Sequence, residues 1–248
     1  MDKAIYLAMT GGKHIARAQT VHANNMANAS TTGFKADFAQ ARAMQVFYGD
    51  GLPSRVYALS ENPATDFSYG SLLETGNDLD IAVDGDGWIA VQGRDGRESY
   101  IRTASLRVDA NGLLTTASGE LVLGDGGPIA LPPYEKVEIG DDGTISLQAQ
   151  GQAPNTLAEV GRIRLVRPDE RTLIKGEDGR LRQPDGSPPL PADATVRLSK
   201  GFLESSNVNV VSEFTQIIAL ARQFEMNLKV MRAAEENSTA ATRLLQQS

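Results

Sequence analysis

The chain has 248 residues, of which 41% are hydrophobic and 22% charged, proportions that suit one or two globular domains with a sizeable core. Its 24 basic residues are outnumbered by 31 acidic ones, for a net charge of -7, which argues against nucleic-acid binding as the main role. With no cysteine, disulfides, thiol catalysis and cysteine zinc sites are excluded, and no apolar run reaches the roughly 18 residues of a membrane span.

At the N-terminus, Ala4, Ala8, Gly11, Ile15, Ala18, His22, Asn25 and Ala29 step by four and three, which predicts a helix from about Lys3 to Asn28 with a seam of small residues. Gly11 and Gly12 each weaken such a helix by roughly 1 kcal/mol relative to Ala, so it needs neighbours. Met1 to Lys35 holds four Lys/Arg against Asp2 alone, which reads as a solvated helix face. A basic head followed by an apolar block is missing, so the expectation is a cytosolic chain or one exported without a cleaved signal. Asn24, Asn25 and Asn28 crowd three amides into five helical positions. This is either a fraying helix end or a set of amides bonded to another helix or subunit. Gly33 supplies the positive φ of a helix exit.

Residues 36–75 read as an extended, partly looped connector, broken at Gly49-Asp50-Gly51, Pro53 and Pro63. From Gly76 the texture becomes β-rich. Short apolar runs at 80–83, 88–92, 99–103, 106–108, 113–116, 121–123, 136–139, 144–147, 162–167 and 195–198 alternate with Asp-Gly and Asn-Gly pairs, the signal of antiparallel hairpins. Pro184 to Pro191 is a loop. The last stretch is a second helix. Val210, Phe214, Ile217, Ala221, Phe224, Leu228, Met231, Glu235, Ser238, Thr242 and Leu245 form a heptad seam on a rod roughly 50 Å long, polar towards its end. The fold expected is α+β. Paired long terminal helices form a coiled-coil-like inner domain (1–35 and 204–248), and an antiparallel β-rich outer domain (76–203) follows the connector.

No catalytic constellation stands out. Asp84-Gly85-Asp86-Gly87 lacks the distal glutamate of a calcium loop and reads as a turn. His14 and His22 lie two helical turns apart, not at the i, i+4 spacing of a zinc pair. No Gly-x-Ser-x-Gly pattern accompanies them. No metal or cofactor is expected.

Three ordered motifs carry a resemblance. Ala23-Asn24-Asn25-Met26-Ala27-Asn28 through Thr32-Gly33-Phe34-Lys35 resembles the N-terminal signature of bacterial flagellar rod and hook proteins. Thr75-Gly76-Asn77-Asp78-Leu79-Asp80 through Trp88 resembles the segment that opens their β-domain, with Tyr100-Ile101-Arg102-Thr103 following. Gly201-Phe202-Leu203-Glu204-Ser205-Ser206-Asn207-Val208 and Arg222-Gln223-Phe224-Glu225 resemble their C-terminal signature. Trp88-Ile89, Ala104 and Phe214 are mild departures. The opening Met1 to Met9 is similar to proximal-rod members, with the distal-rod type as the alternative.

The resemblance implies a structural subunit stacked helically into a torque-transmitting shaft across the periplasm. It implies rod and hook subunits and the flagellar type III export apparatus as partners, with no nucleic acid and no membrane insertion. Asn24, Asn25, Asn28, Gly33, Phe34, Phe214, Phe224, Leu228 and Met231 are its expected interface residues. A peptidoglycan-acting enzyme and a small soluble coiled-coil adaptor are the competing readings.

Overall fold

The computed structural model describes residues 3–39, 41–45, 56–60, 64–151, 157–176 and 178–246. The chain is α+β; among the described residues, two α-helices, α1 (Lys3–Ala27) and α2 (Val210–Gln246), stand at either end of a long antiparallel β region. It folds as two units. One comprises Met1–Ala29, Ala36–Asp66 and Val208–Ser248, the other Ser30–Lys35 and Phe67–Asn207.

In the helical unit α1 and α2 run side by side in opposite directions. Gly11 faces the Asn227 amide, Gly12 faces the Phe224 ring, and His22 reaches Glu213. A Cβ at either glycine would meet these side chains at 3.6 Å, an ordinary van der Waals contact, so the helix pair has room for a small residue there. Ala8, Ile15 and Asn25 are buried along α1, on the face that the spacing predicts.

On α2 the buried face is corrected at alternate positions. Glu213, Ile217, Leu220, Phe224, Asn227, Met231 and Ala234 are its least exposed residues, while Phe214 (54% exposed) and Leu228 lie outside that face. A seam chosen by hydrophobicity alone prefers Phe214 to Glu213 and Leu228 to Asn227. The polar pair goes inward because Glu213 has partners on α1 and Asn227 lies over the space above Gly11. At its start, Asn209 Oδ1 accepts from Ser212 N at 3.1 Å, so Asn209 caps the helix. At 37 residues α2 outruns α1, which has 25.

Between the helices, Asp37–Phe38 pairs with Ala64–Thr65 and Ala41–Gln45 with Val56–Ser60, both antiparallel. The connector thus carries strands; its expected breaks at Gly49-Asp50-Gly51, Pro53 and Pro63 lie outside the described residues.

In the other unit the main sheet runs Ile174–Lys175, Leu181–Arg182, Glu98–Ile101, Trp88–Gln92, Leu121–Gly124, Leu114–Thr116, Thr103–Val108, Asp80–Asp84, Arg197–Lys200. A separate three-stranded sheet joins Tyr134–Ile139, Thr144–Ala149 and Ala158–Arg162. Strand Trp88–Gln92 shows why its run is apolar throughout. Ile89 and Val91 enter the large core with Ile81, Leu114, Ile145 and Ile163, and Trp88 and Ala90 enter a second core with Tyr100, Val166 and Leu181.

Two expected runs are broken where the chain changes partner. The run at 99–103 divides at Arg102, whose side chain turns inward, and the run at 162–167 divides where Ile163 N donates to Gly143 O and Arg164 N to Leu123 O. The last strand of the main sheet begins at Arg197 rather than at the expected 195, because Asp193 Oδ1 holds Thr195 N and Oγ1 in a turn. Residues 72–74, expected as connector, pair as a strand with Phe202–Glu204.

Candidate assembly site

The N-terminal signature is divided between the two units. In the helical unit Asn25, 1% exposed, is the hub. Its Nδ2 donates to Asp37 O at 2.9 Å and to Glu213 Oε1 at 3.3 Å, and its Oδ1 accepts from Asp37 N at 3.0 Å. Glu213 Oε2 lies 2.5 Å from His22 Nδ1. One amide thus joins α1, α2 and the strand that begins at Asp37. A polar cluster in an apolar helix seam is satisfied in one register only, so it fixes the alignment of the pair. Asn24 is exposed, and Asn28 Nδ2 donates to Asn24 O at 2.9 Å, closing the end of α1. The three amides therefore have different tasks.

In the β-rich unit the signature continues as Gly33-Phe34-Lys35 and meets the C-terminal signature at Glu204. Gly33 sits at φ +70°, and a Cβ there would lie 2.9 Å from Thr103 Cγ2, so only glycine fits. Gly33 N donates to Glu204 O at 2.8 Å. Phe34 is buried, with Lys175 Nζ 3.9 Å from its ring centre.

Lys35, Arg102 and Glu204 form a buried ionic cluster, each 3% exposed or less. Lys35 Nζ is 2.7 Å from Glu204 Oε1, Arg102 Nε is 2.6 Å from Oε2, and Gly70 N donates to Oε1 at 3.0 Å. Three of the four remaining guanidinium protons go to the carbonyls of Gly85, Gly87 and Val83, and the Tyr69 ring lies 4.5 Å from Arg102 Cζ. Burial lowers the Lys35 pKa, opposed by its hydrogen bond to Glu204. Burial alone would raise Glu204, but the Lys35 hydrogen bond and the Arg102 charge hold it below the usual carboxylate range. The cluster ties residues 33–35 to 202–204 and to the sheet at Arg102.

Of the other interface residues expected from sequence, Phe224 and Met231 are half-buried in the helix seam, and Phe214 and Leu228 are exposed. Sequence reasoning missed His22 and Glu213 as partners and Lys35, Arg102 and Glu204 as a cluster. The signal was present: Lys35, Arg102 and Glu204 are each the one charged residue in the segments 23–35, 100–103 and 201–208. Among the described residues no group of three or more His, Cys, Asp or Glu could hold a metal ion. No described helix is long and apolar enough to cross a membrane.

Three family models match the chain in order. The flagella basal body rod protein model covers residues 5–35, the flagellar hook protein FlgE/F/G D1 domain covers 82–147, and the flagellar basal body rod FlgEFG protein C-terminal model covers 199–244. The flagellar basal-body rod protein FlgF of Escherichia coli strain K12 is 42% identical over 253 residues, with 100% of both chains covered. FlgF of Salmonella typhimurium strain LT2 is 40% identical, also over 100% of both chains. FlgG of Bacillus subtilis strain 168 is 30% identical over 95% of this chain and 96% of its own. The FlgF proteins of Escherichia coli and Salmonella typhimurium match at 42% and 40% over the full length, against 30% for the FlgG of Bacillus subtilis, and the three models fall on the three motifs, so the chain belongs to the FlgF family of flagellar basal-body rod proteins.

Proposed function

We propose that this rod subunit builds the proximal part of the shaft, with α1 and α2 as a coiled-coil-like inner layer that packs on neighbouring rod and hook-family subunits. It has no catalytic role; it carries torque. In this reading the chain leaves through the flagellar type III apparatus without a cleaved signal and is assembled in the periplasm. The observation that supports this best is the second apolar stripe on α2. Val211, Phe214 and Ile218 follow at spacings of three and four on the side of α2 turned away from the buried seam, Leu228 lies on the flank between, and all four are exposed in the single chain. An apolar stripe of this length beside a filled seam fits a further helix from another subunit. Asn24 is exposed and Asn28, just past the end of α1, is half-buried, and the two complete the proposed contact.

The test substitutes Phe214→Ser together with Ile218→Ser. Cells are expected to make and export the protein at normal levels and yet lack complete rods, while the purified variant melts like the parent chain. Complete rods and normal swimming would overturn the assignment of this stripe to subunit contact.

A further inference from the structure

The turn between strands Thr103–Val108 and Leu114–Thr116 holds a labile amide and the group that restrains it. Asn111-Gly112 is the one Asn-Gly pair in the sequence. A backbone nitrogen can attack the side-chain amide of the residue before it, and glycine, with no Cβ in the way, does so most readily. Here the glycine is compelled by the fold, since its φ is +80° and a Cβ would lie 2.8 Å from Leu131 O. The same five-residue turn recurs at Gly93–Arg97, Thr116–Glu120, Gly140–Thr144 and Gly176–Arg180, with Asp or Ser before the glycine. Among the described turns of this form, Asn111 alone sets an amide in that place.

Asp109, the first residue of the turn, holds each group the attack needs. Its carbonyl O accepts from Gly112 N at 3.1 Å, which occupies the nucleophile. Its Oδ1 accepts from Asn111 N and Leu113 N, both at 2.8 Å, and its Oδ2 from Asn111 Nδ2 at 3.4 Å. The Leu113 N–H above all, with the bonds from Asn111, keeps the Asp109 carboxyl below the usual carboxylate range. Its negative charge opposes loss of the Gly112 proton. We propose that Asn111 is a spontaneous deamidation site, which Asp109 keeps closed in the folded chain and which opens when this turn unfolds. Gly112 N bonds to Asn111 Cγ, the Cγ–Nδ2 bond breaks, and ammonia leaves with the Gly112 proton. Water then opens the resulting ring at either carbonyl, leaving aspartate or isoaspartate. The new carboxylate repels that of Asp109, so the change marks the chain irreversibly.

Trypsin releases Val108–Lys136, in which Asn111 is the only side-chain amide, so mass spectrometry of that peptide reads its conversion to acid. The purified full chain is incubated at mildly alkaline pH with and without urea. Conversion should be at least about tenfold slower in the folded chain, because the attack requires several hydrogen bonds to open first. Asp109→Ala, checked for folding by circular dichroism, should lose most of that protection. Asp109→Asn keeps an oxygen for the two backbone N–H groups but not the charge or the second acceptor, and should lose less. Equal rates in the folded and unfolded parent chain would overturn the proposal. So would an unfolded chain that keeps Asn111 intact, or parent-level rates in both variants.

Discussion

Glu204→Leu removes the one carboxylate between two buried cations. In the parent chain Glu204 accepts from Lys35 Nζ at 2.7 Å, from Arg102 Nε at 2.6 Å and from Gly70 N at 3.0 Å, with no more than 3% of any of the three charged residues exposed. Breaking a buried pair by removing one partner costs about 3–5 kcal/mol, and here two cations lose it, so the upper end applies. Against a domain stability of about 5–15 kcal/mol this is a large share. It corresponds to a fall in Tm of roughly 10–20 °C for a unit of this size. Calorimetry and urea unfolding of the purified full chain give the loss directly. Adding Lys35→Met to Glu204→Leu removes one orphaned charge and should restore part of it, because Arg102 keeps the carbonyls of Val83, Gly85 and Gly87. A change of under about 1 kcal/mol in the single variant, or a double variant weaker than the single, would refute the reasoning.

Acid should reveal the same group. The Glu204 pKa is lowered in the folded chain from its ordinary 4.5, so its contribution is complete above 4.5 and is lost as pH falls through the lower folded value. The urea midpoint should therefore hold from neutrality to about pH 5 and then fall, less steeply in Glu204→Gln. Gly33→Ala should destabilise the β-rich unit by more than about 1 kcal/mol, since it strains a left-handed backbone and crowds Thr103; urea unfolding measures it. Glu213→Ala should loosen the helix pair by about 1–3 kcal/mol, seen as faster amide exchange in α1, because His22 and Asn25 lose their shared partner. Phe224→Ala should lower helix stability in the isolated chain by about 2 kcal/mol, whereas Phe214→Ala should leave it unchanged in the same circular-dichroism melt.

Much of this molecule is legible locally. Both helices follow from periodicity, and the small-residue face of α1 is read correctly because Ala8, Gly11 and Ile15 mark it by size and apolarity together. Hairpins follow from Asp-Gly and Asn-Gly pairs such as Asn111-Gly112, where φ is +80°. The buried face of α2 is harder, since two of its members, Glu213 and Asn227, are polar and their justification lies on another helix. The Lys35–Glu204 contact is beyond local reading altogether. Its partners are 169 residues apart, and no period or turn signal spans that distance. The three sequence motifs mark these residues without stating their task, and the structure divides that task between helix alignment at Asn25 and closure of the β-rich unit at Glu204.

That closure has a consequence for the order in which the molecule can be made. Strand Arg197–Lys200 completes the main sheet by pairing with Asp80–Asp84, and Glu204 arrives just after it to neutralise Lys35 and Arg102. Until about four-fifths of the chain has emerged from whatever is producing or releasing it, the sheet lacks its last strand and two cations have no carboxylate to enter with. Closing so long a loop comes late and is slow. The β-rich unit can therefore close its sheet and bury its two cations only after Glu204 has joined the strands before it.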